Sequence, residues 1–310
     1  EYHDKDKFEI KLNKLIISTG GIETTKLLLS SLPPSLINLN LGKYFMEHPQ
    51  IQVGRVFIKN SLVNNFLKKY SPPTAKHLFD DRLDVKQPKY FSGFKSTDQN
   101  VRNYFVLRTS NVYQSKALYR LRHIILTRNL NSVGHIKFKD LINLVIDVSD
   151  MFLVKIKSLL VKKKSYSVVL HLEQKPNELN QVYLDAENNT VLDWNFMKDD
   201  LENLKNSIED LNIIFKELDS DFQLDSIFSA NDQELTSYLE KNIFGIGHHM
   251  GTTSMGLNAK DSVCDTNLNY HGIDNLIINS SSVFPSGGIA NPTLTMLALT
   301  SRLAERLNNE

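Results

Sequence analysis

The chain has 310 residues, a hydrophobic content of 41% and a formal net charge of +1. This length allows two domains with substantial cores, and the balanced charge lacks the basic excess that is typical of nucleic-acid-binding proteins. We therefore expect no nucleic-acid partner. The single cysteine, Cys264, excludes an internal disulfide framework, and we expect it to be a small buried residue.

The apolar stretches and the start of the chain indicate in which cellular compartment the protein is expected. The most apolar candidate for a membrane helix, residues 141–161, is interrupted by charged side chains, so we predict no transmembrane segment. The chain begins with Glu1 rather than Met, and no signal peptide precedes its first predicted strand. We expect the C-terminal part of a longer protein. A cytoplasmic location is expected, and a periplasmic one stays open.

A strand, a glycine turn and a helix are predicted near the start of the chain. Residues 11–18 (KLNKLIIS) contain a β-branched run, and Thr19, Gly20 and Gly21 separate it from the helical pattern IETTKLLLSS. This order is typical of one unit of an α/β nucleotide-binding fold. The glycines allow close approach of the backbone to a ligand, and the start of the helix offers free N–H groups.

The strands predicted further along the chain indicate a second, largely antiparallel domain. Residues 51–58 and 165–172 have the composition of strands, and residues 173–185 predict a strand, a turn and another strand. A further turn is expected at Asn188 and Asn189, before VLDWNF.

Helical periodicity marks four other segments. Residues 103–126 and 138–160 have it, whereas residues 59–101 are mostly irregular. Residues 197–218 predict a long amphipathic helix, and residues 232–241 predict a short one. The apolar stripe of the long helix consists of Leu201, Leu204, Ile208, Leu211, Ile214 and Phe215.

Two segments near the end of the chain predict a cofactor site. FGIGHHMGTTSMGL carries His248 and His249 between glycines, and SSSVFPSGGIANPTLTMLALTSRLAERL leads from a turn into a helix. We expect Asn291 to cap this helix and Pro292 to take its first position. The stripe expected to be buried consists of Leu294, Leu297, Ala298, Ala304 and Leu307.

These motifs together resemble one protein family. The pattern H-x-x-G-T from His248 to Thr252, the segment NLIINSSSVFP and the segment NPTLT, in this order, are similar to the C-terminal part of the glucose–methanol–choline (GMC) oxidoreductases. TGGIE at the first glycine turn and LGKYFMEHP at residues 41–49 extend the resemblance toward the start of the chain.

The resemblance implies an α/β fold (α+β overall), with the C-terminal part of a Rossmann-like FAD-binding domain and a substrate domain built from an antiparallel sheet and helices. The implied FAD-binding parts are residues 1–49 and 264–310. The implied substrate domain is residues 50–263, which end in an active-site stretch at 244–256.

The implied activity is FAD-dependent oxidation of a CH–OH group of an alcohol or sugar, by hydride transfer to flavin N5. The electron acceptor, which is oxygen, a quinone or a cytochrome, stays open. The family's N-terminal G-x-G-x-x-G unit, which binds the ADP half of FAD, is not in this sequence. We therefore expect the fragment alone to be inactive.

The resemblance also implies roles for individual residues. His248 stands at the position of the catalytic base, for which neutral imidazole has a suitable pKa, and Asn291 stands at that of its hydrogen-bond partner. His249 and His48 are candidates for substrate contact or support. The residues expected at the cofactor are Gly20, Gly21, Ser280, Gly288, Pro292, Thr293 and Leu294. Ser280 departs from the family pattern, because many members have aspartate there.

Two other functions stay open at this point. A catalytically silent subunit would keep the flavin fold for binding or assembly. A metal-dependent hydrolase would use the histidines, and its conceivable ligands are His248, His249, His271, Cys264 and Asp265. Because their spacing matches no standard ligand pattern, we predict no metal site.

Overall fold

The structure is a computed structural model of the chain. It describes residues 10–59, 89–95, 102–108, 162–217, 220–243, 245, 247–288 and 290–310, and the helical positions 145, 149, 152–153, 156 and 158–160. The strands are β1 (Leu15–Ile17), β2 (Gln50–Ile58), β3 (Lys89–Lys95), β4 (Arg102–Arg108), β5 (Lys164–Leu172), β6 (Gln181–Leu184), β7 (Thr190–Asp193), β8 (Asp221–Leu224) and β9 (Leu276–Ile278). The helices are α1 (Gly20–Ser31), α2 (Lys198–Glu217), α3 (Asp232–Asn242) and α4 (Thr293–Asn309). The predicted mixed α/β class is confirmed.

One compact unit consists of residues 49–172 and 196–244. Its five strands lie in the order β3-β4-β5-β2-β8, and each neighbouring pair is antiparallel. The predicted stripe of α2 packs into the core of this unit, where Leu204, Leu211 and Phe215 are buried in one cluster with Val56 and Val168. Full burial of such a side chain contributes about 1.5–3 kcal/mol, so these contacts hold the helix on the sheet.

Two predictions of secondary structure were wrong. Residues 103–108, expected to be helical, belong to β4, which lies between β3 and β5. Phe105, Val106 and Leu107 are all buried there, because pairing on both sides and aromatic and β-branched packing outweigh local helical periodicity. Residues 173–180 contain no strand, and the hairpin β6–β7 follows them. In the predicted helix at 138–160, the described positions 145, 149, 152–153, 156 and 158–160 are helical. Residues 60–101 apart from β3, and residues 109–126 and 138–144, lie outside the described residues.

The other compact unit consists of residues 1–48, 173–195 and 245–310. β1 and β9 pair in parallel, with Leu15 opposite Leu276. The core cluster of this unit joins Ile17, Leu28 of α1 and Leu303 of α4 to other buried side chains. Within it the Tyr270 hydroxyl donates to the Leu36 carbonyl and accepts from the Asn38 N–H, both at 2.9 Å. A buried phenol is therefore hydrogen-bonded, as buried polar groups require.

The apolar stripe predicted for α4 is mostly exposed. Leu294 is 79% exposed and Leu297 is 57% exposed, whereas Leu303 is the buried residue of this helix. The prediction of a buried stripe was wrong because helical spacing places apolar side chains on one face, but only a packed neighbour removes that face from water.

No helix in the described part of the chain is both long and apolar enough to cross a membrane. The predicted division into residues 1–49, 50–263 and 264–310 concerns functional domains rather than compact units, and it stays a prediction.

Candidate active site

Four separate motifs meet inside the unit formed by residues 1–48, 173–195 and 245–310. Met46 and Met250 exchange two backbone hydrogen bonds of 3.0 Å, which join the segment before Pro49 to the histidine segment. The Thr252 hydroxyl donates to the Gly21 carbonyl (3.0 Å), which ties the first glycine turn to the same place. The Ser281 hydroxyl donates to the His249 carbonyl (2.7 Å), so the turn after β9 also contacts it. The tertiary structure thus assembles motifs that lie far apart in the sequence.

Gly251 allows the close crossing of two of these segments. Its φ is +93°, and a Cβ placed on it would lie 1.8 Å from the Tyr44 carbonyl oxygen. An L side chain is therefore excluded twice, by the left-handed backbone and by a rigid backbone neighbour.

We expect Gly251→Ala to lower the free energy of unfolding by at least about 2 kcal/mol, the sum of left-handed strain and overpacking. Gly272→Ala is the matched control, because Gly272 has a φ of +87° but its Cβ would meet no described atom within 4 Å. The control should lose only the strain, about 1–2 kcal/mol. Denaturant unfolding of both variants checks this, and equal losses would show that the contact with Tyr44 is unimportant.

Glu47 anchors the histidine segment through a buried carboxylate that is 2% exposed. Its Oε1 accepts the backbone N–H groups of His248 (2.9 Å) and His48 (3.0 Å), and its Oε2 accepts that of Gly247 (3.1 Å). Oε2 also lies 3.5 Å from Nε2 of His249. A buried carboxylate requires such donors. The Glu47 side chain thus holds the backbone of both His48 and His248 in place.

Sequence reasoning missed Glu47 and the residue next to it in space, Gln174. The Gln174 side-chain oxygen accepts the indole N–H of Trp194 (2.8 Å) and lies 3.4 Å from the Glu47 backbone nitrogen, and Gln174 is 1% exposed. Charged and amide side chains are usually exposed, and nothing in the local pattern marked these two as buried. The one available signal was the position of Glu47 directly before His48 and Pro49.

His48 and His248 form a hydrogen-bonded pair. Their Nδ1 atoms are 2.9 Å apart, and the ring planes are nearly perpendicular, at 86°. Nε2 of His48 lies 2.8 Å from the Gly288 carbonyl oxygen, which brings the loop before α4 to the pair. His48 is buried, at 2% exposure, whereas His248 is partly exposed.

The surroundings of His248 favour its neutral form. Burial lowers the pKa of His248 below its ordinary value, the neighbouring His48 adds to this, and the Glu47 carboxylate acts in the opposite direction. A histidine with a lowered pKa is unprotonated at neutral pH and is able to accept a proton.

His249 has different neighbours. Its ring centroid lies 5.5 Å from that of Phe45, and a Cβ on Gly21 would lie 3.0 Å from the Cβ of His249. The side chain is 38% exposed. Adjacent residues in an extended segment face opposite sides, and the two rings indeed contact different groups.

The predicted cap of α4 was wrong. Pro292 is the N-cap and offers no side-chain hydrogen bond, and its carbonyl accepts the N–H of Met296 (2.9 Å). The helix therefore begins one residue later than predicted, and Asn291 lies before the cap, exposed. Pro292 itself is buried, whereas Thr293 and Leu294 are exposed. The first N–H groups of the helix have no acceptor within it.

Two of the glycines expected at the cofactor have free space around them. Gly20 has a φ of +82° and Gly288 a φ of +61°, and a Cβ on either would meet no described atom within 4 Å. Ser280 is buried at 4% exposure, and its hydroxyl accepts the Ser282 N–H at 3.2 Å, which caps the short turn Ser281–Val283.

The side chains considered for a metal are separated into different environments. Nε2 of His271 lies 3.0 Å from the Ser262 hydroxyl. Cys264 is fully buried, as predicted, and burial raises the pKa of its thiol. Among the described residues, no three His, Cys, Asp or Glu side chains are grouped so that they would hold a metal ion.

Comparison with known proteins shows a family resemblance for part of the chain. The family model described as GMC oxidoreductase, for the C-terminal domain, matches residues 176–300. Over those residues the chain is similar to the GMC oxidoreductases. The matched range includes the H-x-x-G-T segment and the start of α4, so the predicted resemblance is confirmed for this part of the chain.

One curated relative matches a short stretch of the chain, and solved structures share its fold. A stretch of 77 residues is 36% identical to part of the fructose dehydrogenase large subunit of Gluconobacter japonicus. The match covers 25% of this chain and 13% of that subunit. Pyridoxine 4-oxidase from Mesorbium loti has a similar fold, with a TM-score of 0.55, 13% identity and coverage of 96% of this chain and 52% of that one. A formate oxidase variant of Aspergillus oryzae RIB40 has a TM-score of 0.53 and 15% identity, over 94% of this chain and 53% of that one. At these identities the two structures show a common fold, and the chain spans about half of their length.

Proposed function

We propose that the protein is an FAD-dependent oxidoreductase of the GMC type that oxidises a CH–OH group of an alcohol or sugar. The observation that carries this proposal is His248, a partly exposed histidine with a lowered pKa inside the matched GMC region. Its backbone is fixed by Glu47 and its ring by His48. An alcohol loses a proton as well as a hydride on oxidation, and this histidine is suited to take the proton.

The residues present fit the isoalloxazine end of FAD. A Cβ on Gly20 or Gly288 would meet no described atom within 4 Å, which leaves room for close approach of a ligand, whereas a Cβ on Gly21 would lie 3.0 Å from the Cβ of His249. Bound there, FAD would supply the acceptor for the hydride that leaves the carbon of the alcohol. The exposed first turn of α4, with Thr293 and Leu294 after Pro292, offers N–H donors and a positive helix end to a negatively charged group. Ser280 supports the turn that leads into this loop.

The protein's own residues then divide the proton chemistry. His248 receives the hydroxyl proton and becomes an imidazolium, and the Glu47 carboxylate, which raises the pKa of His248 against the effect of burial, stabilises that positive charge. Asn291, exposed beside the start of α4, donates its amide N–H to the substrate oxygen as negative charge develops on it.

The phosphate cradle for the ADP half of FAD belongs, in this proposal, to residues outside these 310. The sequence contains no G-x-G-x-x-G pattern, and the solved structures that share the fold are about twice as long as the chain.

The test is anaerobic mixing of the purified holoenzyme with a panel of alcohols and sugars while the flavin absorbance is recorded. We expect a bound-flavin spectrum that bleaches with at least one of them. A bound flavin that no alcohol or sugar reduces would favour the silent subunit. Hydrolysis that a chelator abolishes, in a protein without flavin, would favour the metal-dependent hydrolase.

A further inference from the structure

The hydrogen bonds of the histidine pair determine where its protons lie. The Gly288 carbonyl oxygen accepts hydrogen bonds and cannot donate them. Because Nε2 of His48 lies 2.8 Å from this oxygen, Nε2 of His48 must carry a proton. A neutral imidazole has one N–H, so Nδ1 of His48 then has only a lone pair.

The position of the proton on His248 follows from that on His48. Nδ1 of His48 can only accept, and it lies 2.9 Å from Nδ1 of His248. Nδ1 of His248 must therefore carry the proton of that ring, and its Nε2 has the lone pair. Among the described residues, no hydrogen bond reaches Nε2 of His248. These two hydrogen bonds therefore leave Nε2 of His248 available as a base.

We propose that His48 is a positioning residue that holds His248 in the tautomer with the proton on Nδ1, so that Nε2 is the atom that takes the substrate proton. The tautomer follows from the contacts alone, whereas its use in catalysis rests on the proposed function. His48 is not itself the base in this arrangement, because it is buried and both of its ring nitrogens are engaged.

Proton transfer strengthens this arrangement. When Nε2 of His248 gains a proton, the bond from Nδ1 of His248 to Nδ1 of His48 becomes charge-assisted, and such bonds are about twice as strong as neutral ones. The other titratable groups that face His248 are Glu47 and His249. Glu47 holds the backbone rather than the ring, so the ring orientation depends on His48.

Nitrogen NMR of protein labelled at its histidine ring nitrogens reads the tautomer directly. At about pH 8, where an ordinary histidine is neutral, we expect His248 to show a protonated Nδ1 and an unprotonated Nε2. His48 should show the opposite pattern. Signals that disappear in His248→Gln and in His48→Asn assign the two rings.

Two variants of similar size test the acceptor at position 48. His48→Leu removes it and leaves the His248 Nδ1–H without a partner, whereas His48→Asn keeps an amide oxygen near the position of Nδ1. For histidines that bind metals, loss of the partner that orients the ring reduces activity by about 10–100-fold, and we take the same range for this pair. We expect His48→Leu to slow flavin reduction by about this factor and to give a mixture of His248 tautomers. His48→Asn should keep the tautomer and most of the rate.

The outcomes separate this proposal from the proposed function. A wild-type His248 with its proton on Nε2, or a His48→Leu variant with the wild-type tautomer and rate, would overturn the role of His48 even in an active oxidoreductase. The expected tautomers in a protein that oxidises no alcohol or sugar would support the hydrogen-bond assignment and reject the oxidoreductase. A fall in flavin content or melting temperature equal in His48→Leu and His48→Asn would indicate a structural role instead.

Discussion

Replacement of His248 by alanine is expected to slow flavin reduction by substrate by about 10²-fold or more, the usual effect of losing a general base. The variant should retain FAD and a near-normal melting temperature, because His248 is partly exposed and its backbone N–H would still reach Glu47. Stopped-flow reduction of the holoenzyme and thermal unfolding measure the two effects. The defect should shrink at high pH, where more of the substrate alkoxide forms without a base.

His249→Ala is the internal control for this experiment. His249 packs near Phe45 and Gly21 and lies near Glu47, so its loss should affect stability more than chemistry. If His249→Ala is slow, stable and rescued by high pH while His248→Ala is not, the assignment of the two histidines is reversed. If neither variant slows reduction, the proposed mechanism is wrong.

The pH dependence of the wild-type enzyme follows from the lowered pKa of His248. Because its pKa is lowered, His248 is still unprotonated at pH values somewhat below the ordinary histidine pKa of about 6.5. The fall of kcat/KM on the acid side should therefore occur below about pH 6.5. The unfolded chain binds the proton first as the pH falls. The contribution of His248 to stability is therefore present above the unfolded pKa and is lost as the pH falls from that value through the lower, folded one. His248→Ala should remove this part of the acid sensitivity of unfolding.

Replacement of Asn291 by aspartate is expected to slow flavin reduction by more than about 10²–10³-fold, because removing one preorganised donor from a developing oxyanion has an effect of this size by itself. Aspartate has nearly the same shape but exchanges a donor for a negative charge. Because Pro292 and not Asn291 is the N-cap, no capping bond is lost, and a negative charge near the start of α4 favours the helix. The melting temperature should therefore stay close to that of the wild type.

Asn291→Ala separates the loss of the amide donor from the gain of a negative charge. It removes the donor without adding a charge, so it should slow reduction less than Asn291→Asp. Flavin reduction at the wild-type rate in both variants would show that Asn291 has no role in the chemistry.

The amino-acid sequence by itself determined the local elements with strong periodicity. The stripe of α2 from Leu201 to Phe215, the strands β2 and β5 and the helix α1 after its glycines all follow from spacing and composition. The family was also within reach of the sequence, because H-x-x-G-T and N-P-T-L-T are contiguous motifs. Local patterns are sufficient where the physical cause, such as side-chain period or backbone freedom, acts within a few residues.

Only the tertiary structure decided what depends on residues far apart in the chain. The strand at residues 103–108 is set by its two neighbours in the sheet, and the exposure of Leu294 and Leu297 depends on what packs against α4. The pair of His48 and His248, 200 residues apart, and the buried Glu47 carboxylate beneath it have no local signature. The proton positions in that pair come from a hydrogen bond to Gly288, because a backbone carbonyl can only accept.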